Sequence, residues 1–273
     1  MIDIDAAIGF VVAKGDQVDR ARLSYLRTGA QPTEDIVETA ENGQSRDGGW
    51  PAFWADGVAS IDATCFRLAE LDDLGGLGRQ AARRALDWLT TRQRPDGTWE
   101  EDPALADAAP PWAAPGDPEA RLYITANAAF WLTVAGHDAR SSGPLDDRPG
   151  GAYAGVVTQA AEALRGHVTS DGTMPTFLVA TWLTAAVLYR QDMFYESVRL
   201  QQRLVERLPE LSAADAAWLA AANRRVGVRD EDPLIINAML RLRQLQRSDG
   251  GFSSDDGEAF DVHTTLAAIR ACR

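Results

Sequence analysis

Gln44-Ser45-Arg46-Asp47-Gly48-Gly49-Trp50 is the first of four copies of one short pattern in the chain. Gln93-Arg94-Pro95-Asp96-Gly97-Thr98-Trp99 and Gln246-Arg247-Ser248-Asp249-Gly250-Gly251-Phe252 repeat it closely, and His167-Val168-Thr169-Ser170-Asp171-Gly172-Thr173-Met174 repeats it more loosely. A turn that recurs between helical segments is the signature of an array of similar units. Asp-Gly supplies the turn itself, because glycine tolerates positive φ and aspartate bonds nearby backbone, while the following aromatic can pack on a neighbouring unit. Turn chemistry accounts for these residues fully, so they are read as structural.

Between the turns, apolar residues recur at helical spacing and β-branched runs are few, as in Ala81-Ala82-Arg83-Arg84-Ala85-Leu86-Asp87-Trp88-Leu89. The expectation is an all-α chain without strands. Helices are placed near 4–14, 17–28, 33–43, 59–74, 78–92, 120–136, 152–166, 176–190, 192–208, 212–225, 232–246 and 259–271, pairing into six hairpins. The stretches 102–118 and 141–151, rich in Pro, Asp and Gly, read as long loops, and Ser212 is placed to cap a helix. Helices apolar nearly all round alternate with amphipathic ones, which implies an inner and an outer ring.

With 273 residues and 45% hydrophobic content, the chain can bury one sizeable core, and residues 1–273 are read as a single domain. No apolar run spans a bilayer and no secretory pattern opens the chain, so no integral membrane segment is expected and the protein is expected to be cytoplasmic. A net charge of −13 argues against nucleic acid as a partner. Cys65 and Cys272 are the only cysteines and suggest no disulfide framework.

The Gln-x-x-Asp-Gly-Gly-Trp copies resemble the QW repeats of squalene–hopene cyclases and the matching repeats of protein prenyltransferase β subunits. The resemblance covers almost the whole chain and implies an α6/α6 toroid. Ser60-Ile61-Asp62-Ala63-Thr64-Cys65, Arg121-Leu122-Tyr123-Ile124-Thr125-Ala126-Asn127 and Asp261-Val262-His263-Thr264-Thr265 look like strings in small bacterial squalene-cyclase-like proteins. In the larger families a central cavity holds an isoprenoid chain, so the resemblance implies a small apolar, isoprenoid-like partner.

Proton-initiated terpene cyclases carry Asp-x-Asp-Asp or Asp-x-Asp-Thr-Thr, whose middle aspartate protonates an alkene. Here Asp-x-Asp-Asp is absent, and Asp261-Val262-His263-Thr264-Thr265 has histidine in place of the middle acid. Asp62 and Asp261 stand where helices begin, so each can cap free backbone N–H groups. Each is also a candidate catalytic acid or base, with His263 relaying or tuning the proton. No cofactor is required in that reading. Trp54, Arg121, Tyr123, Asn127, Trp131 and Trp182 are candidate substrate contacts, the aromatics through burial of hydrocarbon and stabilisation of cations.

The prenyltransferase resemblance implies an alternative. Those enzymes hold zinc with an Asp and a nearby Cys from one inner helix and a His from another, a set that Asp62, Cys65 and His263 offer with altered spacing. His137 and His167 are expected in a loop and at an exposed turn, and the acidic pairs Asp72-Asp73, Asp146-Asp147 and Asp255-Asp256 are expected to be solvated. A third reading is a catalytically silent toroid that binds a ligand or another protein.

Overall fold

The computed structural model describes residues 2–55, 57–142 and 151–273. Twelve α-helices occur among them: α1 Ile4–Lys14, α2 Gln17–Thr28, α3 Glu34–Glu41, α4 Ile61–Asp73, α5 Gln80–Thr91, α6 Pro118–Ser142, α7 Ala154–Arg165, α8 Leu178–Arg190, α9 Phe194–Arg207, α10 Ala213–Arg225, α11 Pro233–Leu245 and α12 Asp261–Ala271. The expected boundaries hold to within a few residues except at α6, which continues to Ser142, so the anticipated 141–151 loop begins as helix and its residues 143–150 lie outside the described ones. His137 is therefore half-buried on a helix, 3.0 Å from Arg190, rather than in a loop. The chain is all-α as expected, and only the absence of strands needs correction: Trp50–Pro51 and Ala59–Ser60 form β1 and β2, a two-residue antiparallel pair too short to leave a periodic trace.

The chain divides into two compact units. One comprises residues 41–72 and 76–200; the other comprises 1–40, 73–75 and 201–273. In the first, α6 packs on α7 and α8, and α8 is buried without interruption from Ala180 to Leu188. Its neighbour α7 buries only Val157, Ala160, Ala161 and Leu164, the single stripe of a covering helix. In the second, α12 packs on α1, α2 and α10 and is buried along nearly its whole length. Ser212 caps α10 through Asp215 N (3.1 Å), as its position suggested.

Three turn copies use one set of bonds. Gln44 Nε2 donates to Gly48 O in its own turn and to Ala81 O on α5. Gln93 Nε2 does the same with Gly97 O and Val156 O on α7, and Gln246 Nε2 with Gly250 O and Asp3 O at the start of α1. Each glutamine thus ties its turn to the next covering helix. The aromatic backbone then docks inward: Trp50 N donates to Thr64 Oγ1 (2.9 Å), Trp99 N to Thr125 Oγ1 (3.0 Å) and Phe252 N to Thr265 Oγ1 (3.0 Å). As a result Asp62, Tyr123 and His263, each two residues before a docked threonine, occupy the same place on α4, α6 and α12.

Close approach in these turns demands glycine. At Gly97, φ is +83° and a Cβ would lie 2.5 Å from Gln159 O on α7. Gly97→Ala combines a left-handed backbone with a backbone clash, and is expected to cost at least about 2 kcal/mol in chemical denaturation. A variant as stable as wild type would contradict the tight seating of this turn.

Candidate active site around Asp62

Asp62 is the second residue of α4, but it does not cap that helix. Ser60 Oγ accepts from Ala63 N (3.1 Å), while Glu101 receives Ile61 N at Oε2 and Asp62 N at Oε1, both at 2.9 Å. Released from capping, the half-buried Asp62 carboxylate accepts from Tyr123 Oη at Oδ1 (3.0 Å) and from Trp112 Nε1 at Oδ2 (3.1 Å). Asn127, one turn along α6 from Tyr123, donates to Tyr123 Oη (3.4 Å). The order Asn127, Tyr123, Asp62, Trp112 is thus one continuous chain of hydrogen bonds.

No cation pairs with Asp62 among the described residues. Burial raises its pKa above the ordinary carboxylate value, outweighing the Tyr123 and Trp112 hydrogen bonds that favour the charged form. Burial and the neighbouring Asp62 charge also push the Tyr123 phenol well up, so it stays a proton donor to the carboxylate. Cys65, on the same helix and buried, is held as a thiol by burial and by the charges of Asp62 and Glu101.

Glu101 and Trp112 had no signal in the periodicity. Glu101 lies two residues past the motif's Trp99, and Trp112 lies in the proline-rich 102–118 stretch, within the second of its two short 3₁₀ turns, Pro103–Leu105 and Pro111–Ala113. The available hints were an acid directly beside a turn motif and a tryptophan in a loop of small residues and prolines.

Glu101 is only 3% exposed, and burial lifts its pKa from 4.5 to about 7 despite three hydrogen-bond donors. The folded state therefore holds this proton more tightly than the unfolded chain. Its contribution is fully present below about pH 4.5 and is lost as pH rises through about 7, amounting to about 3 kcal/mol. Glu101→Gln is expected to flatten this part of the stability–pH curve in urea titrations. An unchanged curve would contradict the assignment.

Trp54 is half-buried between β1 and β2, and its Nε1 is buried without a hydrogen-bond partner among the described residues. Arg121, half-buried near the start of α6, makes no side-chain hydrogen bond or ion pair to a described residue, although its charge helps lower the pKa of Asp96. Trp131 and Trp182 are buried on α6 and α8. They are 4% and 2% exposed, and Trp131 packs edge-on against Phe130 at 5.2 Å, so protein occupies their surfaces.

The other unit holds Asp261 and His263. Asp261 opens α12 yet caps no N–H of that helix: Oδ1 accepts from Ser254 N (2.8 Å) and Oδ2 is ion-paired with Arg247. His263 Nδ1 lies 2.8 Å from Arg22 Nη1. Arginine offers only donors, so Nδ1 is the acceptor and the neutral ring carries its proton on Nε2. Arg22 also meets Asp73 Oδ2 (2.7 Å) and Asp19 Oδ1 (3.3 Å), and Arg270 meets Asp73 Oδ1 (2.7 Å). Asp73 is thus buried between two guanidinium groups rather than solvated, while His167 is exposed as expected.

Among the described residues no group of three or more His, Cys, Asp or Glu side chains could hold a metal ion.

No family model matches the sequence, and no curated protein is similar to it. Solved structures are similar over its length. A crystal structure of a protein from Actinoplanes is 16% identical with a TM-score of 0.63, covering 98% of this chain and 97% of that one. Type II terpene cyclase MstE from Scytonema, without ligand, is 13% identical with a TM-score of 0.59, covering 98% and 96%. A variant of MstE in complex with geranylgeranyl dihydroxybenzoate, described as substrate, is 15% identical with a TM-score of 0.59, covering 98% and 95%. The likeness shows the fold: all-α, of the helical-toroid class to which the terpene cyclases belong.

Proposed function

We propose that this chain binds a small isoprenoid-like molecule and transforms it by acid–base chemistry at Asp62. The observation that carries the proposal is a carboxyl that is partly withdrawn from water, paired with no described cation and held by two neutral donors. Burial without a counter-cation favours the protonated carboxyl that an alkene-protonating acid requires. When the O–H bond breaks, its proton adds to one alkene carbon and leaves a carbocation at the other, and the negative charge stays on Asp62. The Tyr123 hydroxyl and Trp112 indole N–H are already aimed at that charge and strengthen as it forms. Loss of a proton from the final cation to Asp62 restores the acid, so the net reaction is isomerisation or cyclisation.

Two features support an apolar substrate. The fold is that of a cyclase whose variant was solved with a geranylgeranyl compound, and Trp112 places an exposed aromatic face directly beside the acid. Aromatic faces bury hydrocarbon and stabilise cations. Asp261 is assigned no proton transfer because its carboxylate is committed to Arg247 and Ser254, and a relay through His263 would have to use Nε2, since Arg22 occupies its Nδ1 lone pair. Cytoplasmic residence is part of the proposal, and no helix among the described residues is long and apolar enough to cross a membrane.

The test is incubation with squalene, geranylgeraniol, geranylgeranyl diphosphate and geranylgeranyl dihydroxybenzoate, with products resolved by mass spectrometry. At least one is expected to be converted. Binding without conversion would favour the silent toroid, and neither binding nor conversion would remove the proposal's support. Tyr123→Phe, which deletes one of the two donors to Asp62, is expected to lower kcat by about tenfold to a hundredfold. An unchanged kcat would exclude this hydroxyl from charge stabilisation.

A further inference from the structure

We infer that Glu101 is a positioning residue for Asp62, tethering the first turn of α4 so that the Asp62 carboxyl stays registered against Tyr123 on α6. The inference rests on the reading of Asp62 as the acid. Its basis is the pair of attachments on either side of one short segment. At Trp99, the backbone N–H docks on Thr125 Oγ1 of α6 (3.0 Å) and the indole N–H on Leu89 O (2.7 Å). Two residues later, Glu101 accepts from Ser60 Oγ (2.7 Å), Ile61 N and Asp62 N at the start of α4. Residues 99–101 therefore join α6 to α4, the helices that carry Tyr123 and Asp62.

Helix capping alone does not explain this arrangement. Ser60 already serves as the local cap, with its hydroxyl accepting from Ala63 N. A short hydroxyl cap needs no buried charge, whereas a carboxylate without a cation in protein interior carries a desolvation cost. What Glu101 adds is a connection across about 40 residues of sequence to the peptide unit of Asp62 itself. Since reacting groups lose rate when displaced by about 1 Å, a tether at the acid's own amide acts on catalysis rather than only on helix stability. The titratable groups that interact with Glu101 are Asp62 and Cys65 on α4. The adjacent Glu100 is turned to Arg94 and Gly116 N.

The experiment uses full-length protein labelled with [γ-¹³C]aspartate, in which the Asp62 carboxyl signal is the one absent from Asp62→Asn. Glu101→Gln is expected to move that signal and to lower kcat about tenfold or more on the converted isoprenoid, with KM changed less than about twofold. Gln93→Ala, which loosens the same turn without touching α4, is expected to leave the signal in place. A folded Glu101→Gln variant with unchanged kcat would overturn the inference, as would a signal that moves equally in Gln93→Ala. Should no isoprenoid be converted by wild type, the acid reading fails, but the carboxyl signal still decides the tether. Should Glu101→Gln not fold, Ser60→Ala removes one of the three partners, and an unmoved Asp62 signal there would overturn the inference.

Discussion

Asp62→Asn is expected to lower isoprenoid turnover by about 10²- to 10⁴-fold, the contribution typical of a positioned general acid. Asparagine keeps the shape and an oxygen acceptor but holds no proton acidic enough to form a carbocation. Its amide also turns an N–H₂ toward one of the two donors, Tyr123 Oη or Trp112 Nε1, so a small loss of stability accompanies the kinetic effect. Substrate affinity is expected to change little, because binding rests on apolar surface. The check is kcat and KM together, with thermal unfolding as a control. A folded variant that retains wild-type kcat would move the chemistry away from this carboxyl.

The largest expected effect on stability lies in the other unit. Asp73 is buried between Arg22 and Arg270 and is the anion that separates them. Burial and the charge of Arg22 already bring the Arg270 pKa down to about 10, which shows how poorly this interior accommodates an extra positive charge. Asp73→Ala removes the buried carboxylate that bridges the Arg22 and Arg270 guanidinium groups. A loss of about 3–5 kcal/mol is expected, read as a lower denaturant midpoint or failure to fold. Replacing all of Asp73, Arg22 and Arg270 by apolar residues is expected to recover part of that loss, since a buried ion cluster contributes more to specificity than to net stability. If Asp73→Ala alone were neutral, the cluster would have to be solvated.

Elements defined by local pattern were legible in the sequence. Helix spans follow from apolar spacing and the turns from the recurring Asp-Gly pattern, whereas the bonds of Gln44, Gln93 and Gln246 to the next covering helix are seen only in the structure. Features that depend on residues far apart in sequence were not. Trp112 meets Asp62 across 50 positions, Glu101 meets Asp62 across 39, and Arg22 meets Asp73 across 51. No periodicity encodes such pairings, so Glu101 and Trp112 went unnoticed and Asp73 was read as a solvated acid.

The helix-start rule misled for a related reason. It offers capping as one of two roles for Asp62 and Asp261, whereas α4 is capped by Ser60 and the distant Glu101, and Asp261 accepts from Ser254 N and pairs with Arg247. Composition identified aromatic residues on the central helices but could not separate the buried Trp131 and Trp182 from Trp112 beside the acid.

The most direct test of the central claim is turnover of the isoprenoid panel in deuterium oxide, with the product's mass and site of labelling determined. Protonation of an alkene carbon by Asp62 predicts one solvent deuterium on that carbon in wild-type product and loss of the product in Asp62→Asn. Product without solvent deuterium, or the same labelled product from Asp62→Asn, would contradict the assignment of Asp62 as the acid.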